Sequence, residues 1–536
     1  QKAQPTAMAC TQSIGMGHLC GQNGPHLFCF LHGRWHLWCW CLLHNEQTMN
    51  ALASSSTLAV QPLYVQMAVR MAGLIESGVF QPGQRLPSVR DSAAQEGVSI
   101  STAMQAFRWL EDKGLAQAKP KAGYFVSKLR QRIALPMVGQ PPAHSVPVER
   151  RSRTDVIRVD GGQAIRVNLG GTCPRDSMLF DEDRVRVAVS RATRVHRRTL
   201  VSYTNEAGTP ALQNAVAQRA LHLGCSLRGE DVVITSSCIH AVSLCLMAVT
   251  RPGDVVALES PTFFGFLDLL EALSLRVVEI PSHPRTGLSL PALQLALDTQ
   301  PIKAVLAVPT LSNPLGAIMP LADKKALVRM LAPHQIPLIE DVVFNDLLAS
   351  DERRKAVKAF DRDGSVMVCG SFSKTLAPGI RLGWVEAGRW RDQVAALQRV
   401  QGAATNEVLE HALADLLTQT AYESQMRRLS ATMKSRLHEA RRLVSGHFPK
   451  GTRVSDPAAG YTLWVELPVG MNSMRLFEHA ASEGIAFGPG QLFSATDRYA
   501  HCLRLSFSGA WGDAEKEGLM RLGHLAQALS RQASQA

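Results

Sequence analysis

The middle of the chain repeats one pattern of polarity. Short runs that are apolar nearly throughout, DVVIT (231–235), VVALES (255–260), RVVEI (276–280), AVLAVPT (304–310), PLIEDVV (337–343) and VMVCGSF (366–372), alternate with stretches of helical period. Strands apolar on both faces belong inside a parallel sheet covered by helices, so this part predicts an α/β domain. From about residue 400 helical patterns continue, and GYTLWVEL (460–467) and HCLRLSFS (501–508) predict strands of a smaller α+β subdomain. Near the N-terminus the period is helical. Leu63, Met67, Val69, Met71, Leu74 and Ile75 predict a broad apolar stripe, ended by the turn QPGQ. A helix, a turn at Gly97 and a second helix follow, with Ser99 as the expected N-cap of the second and Gly114 as its stop. LAQAKPKAGYFVS (115–127) predicts two short strands around a Lys/Gly turn, which completes a winged helix-turn-helix.

These patterns set the expected boundaries. Residues 60–128 form the winged helix, 129–165 an extended linker rich in Pro and Arg, and 166–530 the α/β part, its large portion 195–400 and its small subdomain 400–530. A chain of 536 residues is too long for one core, in keeping with several domains. With 46% hydrophobic and 19% charged residues it reads as globular rather than disordered.

Composition sets the first fifty residues apart. They hold Cys10, Cys20, Cys29, Cys39 and Cys41 of the eleven cysteines, and Trp35, Trp38 and Trp40 of the eight tryptophans. No C-x2-C pair meets a spaced histidine pair, so no metal site is expected there. His32, Arg34 and His36 break an apolar run already too short to span a bilayer. Residues 1–50 are therefore expected to be a non-native or disordered extension, with Met49 the expected true start. The remaining cysteines are scattered singly, as reduced thiols of a cytoplasmic protein would be. The net charge of +12 favours a polyanionic partner, double-stranded DNA above all given the winged helix.

Residues 60–132 carry ten Lys/Arg against five Asp/Glu, as phosphate neutralisation requires. In a helix-turn-helix the start of the second helix reaches base edges, which here means Ser99, Ser101, Thr102 and Gln105. Arg85 and Arg90 flank the first helix of the pair and suit phosphates, and Lys121 stands at the wing tip.

A second constellation centres on SFSKTLAPGIRLGW (371–384). A lysine amine in a packed site can form a Schiff base with an aldehyde, and pyridoxal 5'-phosphate makes further demands on its pocket. The chain meets each demand in order. Ser236, Ser237 and Cys238 open a helix after DVVI, where backbone N–H groups hold phosphate. Phe263 stacks on the ring, Asn313 donates to the ring's phenolate oxygen, and Asp341 after a buried strand pairs with the pyridine nitrogen. Ser371 and Ser373 serve the phosphate, Lys374 the aldehyde, and Arg381 closes the phosphate site with a charge-assisted fork. Each group sits at a predicted strand end, where ligands of open α/β sheets bind.

QRLPSVRDSAAQEGVSISTAMQAFRWLEDKGLAQAKPKAGYFV resembles the DNA-binding domain of GntR-family regulators, with Ile100 where that family places Arg. From about 165 to 530 the chain is similar to fold-type-I aminotransferases. The fusion resembles the MocR subfamily of bacterial transcription regulators. That resemblance implies a cytoplasmic homodimeric regulator that binds DNA and pyridoxal phosphate and senses an amino acid, an amine or the cofactor. A working aminotransferase with an accessory DNA-binding module is the alternative. The resemblance also assigns Arg504 to a substrate or effector carboxylate, and Tyr203 to the phosphate held by the partner subunit. Phe344 and Phe263 stand where tyrosines are commoner.

Overall fold

The computed structural model describes residues 62–77, 79–81, 83–112, 115–119, 122–127, 133–142, 144–148, 165–171, 174, 179–202, 207–348, 352–402 and 404–535. The expected extension at 1–50, the helix stop Gly114, Lys121 and Tyr203 lie outside the described residues. The chain divides after Ser127 into two compact units.

The first unit comprises α1 (Leu63–Glu76), α2 (Val89–Glu96), α3 (Ile100–Asp112) and the antiparallel hairpin β1 (Ala116–Lys119) with β2 (Gly123–Val126). Local chemistry fixes the helix pair. Ser88 caps α2 by accepting the Asp91 N–H, Gly97 takes the left-handed conformation that ends it (φ 62°), and Ser99 accepts the Thr102 N–H at 3.1 Å. Met67, Met71 and Ile75 of α1 pack with Ala103, Phe107 and Leu110 of α3 and with Val126. The apolar face of α1 is narrower than its pattern predicts, because Leu63, Val69 and Leu74 are exposed. Ala68 and Ala72 complete the buried face instead, since residues 67, 68, 71, 72 and 75 share one side of a helix.

In the second unit the strands of the large part are β3 (Val146–Pro147), β5 (Val232–Thr235), β6 (Val255–Ser260), β7 (Arg276–His283), β8 (Gly287–Leu288), β9 (Ile302–Ala307), β10 (Leu338–Asp341), β11 (Val366–Ser371) and β12 (Gly383–Glu386). They form one sheet in the order β3-β7-β6-β9-β10-β11-β12-β5, with β8 beside β7. The six apolar runs are β5, β6, β7, β9, β10 and β11. β6, β7, β9, β10 and β11 pair in parallel, whereas β12 is antiparallel to both β11 and β5. The chain returns from β11 to β12 through the Ala-Pro-Gly corner without a crossover helix, which only an antiparallel pairing permits. The C-terminal ends of β5, β6, β9, β10 and β11 and the start of β12 therefore line one edge.

The small subdomain carries the antiparallel sheet β13 (Arg453–Val454), β14 (Thr462–Glu466), β17 (Cys502–Ser506) and β16 (Gly488–Pro489), in that order. A separate parallel pair joins β4 (Val167–Asn168) to β15 (Ile485–Ala486). Helix Ala421–His447 contributes Leu429 and Met433 to the large core and Leu437, Ala440 and Val444 to the small one, so it links the two.

Candidate functional site

The sheet order makes neighbours of the strands whose ends carry the expected cofactor groups: β6 before Phe263, β9 before Asn313, β10 ending in Asp341, β11 ending in Ser371, then β12 and β5. Gly383 pairs with both Ser371 and Thr235. A Cβ on Gly383 would stand 2.7 Å from the Cys238 backbone nitrogen, so only glycine lets β12 approach the start of helix Cys238–Val249. That helix is capped by the Ser237 hydroxyl, which accepts the His240 N–H at 3.1 Å. The Ser236 hydroxyl is 2.9 Å from His240 Nδ1. Arg381 holds a left-handed backbone (φ 57°), uncommon for a side-chain-bearing residue, and its Nη1 reaches Ser373 Oγ at 3.4 Å. Ser371, Ser373, Arg381 and the helix start thus share one corner of the sheet edge.

Asp341 is the electrostatic centre. Burial pushes its carboxyl up to about 6, against the opposing pull of the Val343 N–H, the Cys238 thiol and the positive charge of Lys374. The Val343 N–H donates to Oδ1 at 2.8 Å. The Cys238 thiol, itself pushed far up by burial and by Asp341, also bonds the carboxylate. These partners offset only part of the burial, and a protonated ring nitrogen would suit the carboxylate as a further one. Lys374 is fixed through its peptide: Tyr461 Oη donates to the Lys374 carbonyl, and Gln425 Nε2 to the Thr375 carbonyl at 3.1 Å.

The Arg504 guanidinium is fully buried. It donates to the Gly170 carbonyl and, at 3.3 Å, to Asn313 Oδ1, and it lies 4.8 Å from the Phe493 ring and 5.5 Å from that of Phe264. Gly170 is turned towards it because Asn168 Oδ1 accepts the N–H groups of both Gly170 and Gly171. Phe263 precedes helix Phe264–Ala272, half-buried and stacked obliquely on Phe264. Phe344 is buried edge-on to Tyr461. The sequence reading missed His240, Tyr461, Gln425, Phe493 and the loop at Gly170. None carries a local signal; His240 stands in the same helix start as Cys238, whereas the others reach the site from distant parts of the chain.

On the winged helix, Arg85, Arg90, Ser99, Ser101 and Gln105 are exposed, and Thr102 is half-buried. The Ser99 hydroxyl is engaged by its cap and by Ser101 and Thr102 Oγ at 2.8 Å each. Ile100 is exposed among them.

Fold and site together define a fold-type-I, pyridoxal-phosphate-binding domain joined to a helix-turn-helix. The bacterial regulatory gntR family matches residues 63–126, and the aminotransferase class I and II family residues 176–517. Two uncharacterized HTH-type transcriptional regulators of Escherichia coli are similar over nearly their whole length. YdcR is 33% identical, covering 87% of this chain and 99% of its own, and YjiR is 32% identical, covering 86% and 98%. Among solved structures, the α-aminoadipate aminotransferase LysN of Thermus thermophilus has a TM-score of 0.66 at 24% identity, covering 72% of this chain and 96% of LysN, a likeness of fold. The chain belongs to the aminotransferase class I and II family and, with its GntR domain, to the MocR-type transcriptional regulators. Pyridoxal phosphate is its cofactor by that membership, and the cation-seeking Asp341 beside Lys374 fits it. No helix among the described residues is long and apolar enough to cross a membrane.

Proposed function

We propose that this regulator reads an amino acid or amine at its cofactor site and changes its grip on DNA accordingly. The buried Asp341 carboxyl, with the Lys374 charge near it, carries the reading, because a protonated ring nitrogen between these strand ends would further offset the cost of its burial. When bound, the cofactor supplies an aldehyde and an electron sink linked through Lys374. The chain's own residues do the rest. Asp341 keeps the ring nitrogen protonated, Asn313 orients the ring, and Phe263 covers one face. Ser236, Ser237, Cys238, Ser371, Ser373 and Arg381 hold the phosphate, with Tyr203 of the partner subunit completing the cradle in a homodimer. Arg504, desolvated and aimed by Gly170 and Asn313, receives an effector carboxylate.

On DNA, Ser101, Thr102 and Gln105 read base edges, and Arg85, Arg90 and Lys121 grip phosphates. Ser99 acts mainly as the cap that shapes the reading helix. Such a protein works in the bacterial cytoplasm. Regulation requires the effector to favour one arrangement of the dimer over another.

The complete set of Lys374, Asp341 and Arg504 also suits a working aminotransferase, and one experiment separates the two readings. Purified protein is given amino-acid and keto-acid pairs while its visible spectrum and product are followed. A spectral change without sustained product supports the sensor, whereas many turnovers make the enzyme reading primary. Lys374→Ala should abolish the bound cofactor's visible band, and a retained, borohydride-trappable adduct would overturn the lysine's role.

A further inference from the structure

Ala103, Ala106, Phe107 and Leu110 bury one side of α3 in the core of the first unit, while Ser101, Gln105 and Arg108 are exposed. Ile100, the first residue of the helix, is 54% exposed. The hydroxyls beside it are engaged with one another. Ser99 Oγ accepts the Thr102 N–H at 3.1 Å and lies 2.8 Å from both Ser101 Oγ and Thr102 Oγ1. These three groups spend part of their bonding capacity within the first turn, and Ile100 is the apolar projection of that turn. Met104, four residues on, shares its side of the helix and is half-buried.

Helix formation does not select isoleucine at this place. A β-branched residue is a poorer helix former than alanine or arginine, and an exposed isoleucine leaves apolar surface in water. Its chemistry does fit one feature of B-DNA. Every base edge in the major groove offers hydrogen-bond donors or acceptors, and thymine alone adds a methyl group at C5. Isoleucine neither donates nor accepts. Against guanine or cytosine it would cover polar edge atoms without replacing the water they lose. Against thymine it buries apolar surface on apolar surface. An arginine at the same place would favour guanine instead, through O6 and N7.

We propose that Ile100 is a specificity residue that selects thymine at one position of the DNA site, through the 5-methyl group of that base. The proposal rests on the reading that the start of α3 enters the major groove, and it adds the base this chain requires there. The contact is worth about one buried methyl group, which is about fourfold in affinity for each α3 bound. It lies wholly within the winged helix, so it holds whatever occupies the cofactor site.

The test uses the full chain and a pool of random-sequence duplexes, from which bound molecules are enriched and sequenced for wild type, Ile100→Ala and Ile100→Arg. The wild-type site should require thymine at one position. Ile100→Ala should lose that requirement and keep the rest of the site, which also shows that the variant is folded. Ile100→Arg should prefer guanine at the same position. In the wild-type site, 2'-deoxyuridine in place of that thymine removes only the methyl group. It should weaken wild-type binding about fourfold and Ile100→Ala binding by less than about twofold. Identical sites for all three proteins, or equal deoxyuridine penalties in wild type and Ile100→Ala, overturn the proposal and leave DNA reading by the rest of α3 in place. If a variant enriches no sequence, a deoxyuridine scan of the wild-type site decides. A loss at one thymine supports the proposal, and unchanged affinity at every thymine overturns it. A wild type that enriches no sequence removes base reading by α3 altogether, and Ile100 with it.

Discussion

Replacing Asp341 by Asn should stabilise the cofactor-free protein while weakening its hold on the cofactor. The Asp341 carboxyl lies near 6 in the folded chain against an ordinary 3.8. Between those values the folded state binds more protons than the unfolded state, so stability falls as pH rises and is flat above about 6. A shift of about two units corresponds to about 3 kcal/mol at neutral pH. Asn carries no charge to desolvate, and its carbonyl still accepts the Val343 N–H. The cofactor-free variant should therefore match the wild type near pH 4 and exceed it by up to about 3 kcal/mol at pH 8. Urea titrations of the α/β transition, run from pH 4 to 8 on both proteins, give the difference directly. A pyridoxal phosphate titration of the same samples should show affinity reduced at least tenfold. Superimposed stability curves, or a variant less stable at pH 8, would refute the view of Asp341 as a buried charge awaiting a cation.

Three further outcomes follow from the geometry. Gly383→Ala puts a methyl 2.7 Å from the Cys238 nitrogen on a strand held from both sides, so cofactor affinity should fall at least tenfold in absorbance titrations while circular dichroism stays native. Arg504→Gln should leave cofactor binding within a few-fold, yet carboxylate-bearing amino acids should no longer change the visible spectrum while simple amines still do. Operator affinity should fall steeply with salt, because phosphate neutralisation by the basic winged helix releases counterions; a flat dependence on log salt would remove Arg85 and Arg90 from the interface.

Much of the site was legible because its parts are local. Five of the six apolar runs contain a functional residue or precede one by no more than three residues, and Ser236–Cys238, Asp341 and Ser371–Lys374 each stand at or directly after a strand end. The Ser88 and Ser99 caps and the Gly97 turn are likewise written in a few adjacent residues. What was hidden depends on partners far along the chain. β12 is antiparallel because of the corner that precedes it, and the Cys238 thiol meets Asp341 only once β5 and β10 share a sheet edge. Val69 and Leu74 read as core although the buried arc of α1 is filled by two alanines. Residues 133–142 and 144–148 read as linker from their prolines, since a two-residue edge strand and single bonds from Met137 to Glu466 and from Arg276 to the Ser145 carbonyl have no pattern of their own.

The central claim is that one molecule joins occupancy at Lys374 to its grip on DNA. Its most direct test is the dissociation constant for a labelled duplex from upstream of the protein's own gene, measured for cofactor-free protein, for pyridoxal-phosphate-loaded protein, and for loaded protein titrated with amino acids and amines. At least one loaded form should bind at least fivefold differently from the cofactor-free form, and Lys374→Ala should erase the difference. Equal affinities in every state, with the cofactor demonstrably bound, would contradict it.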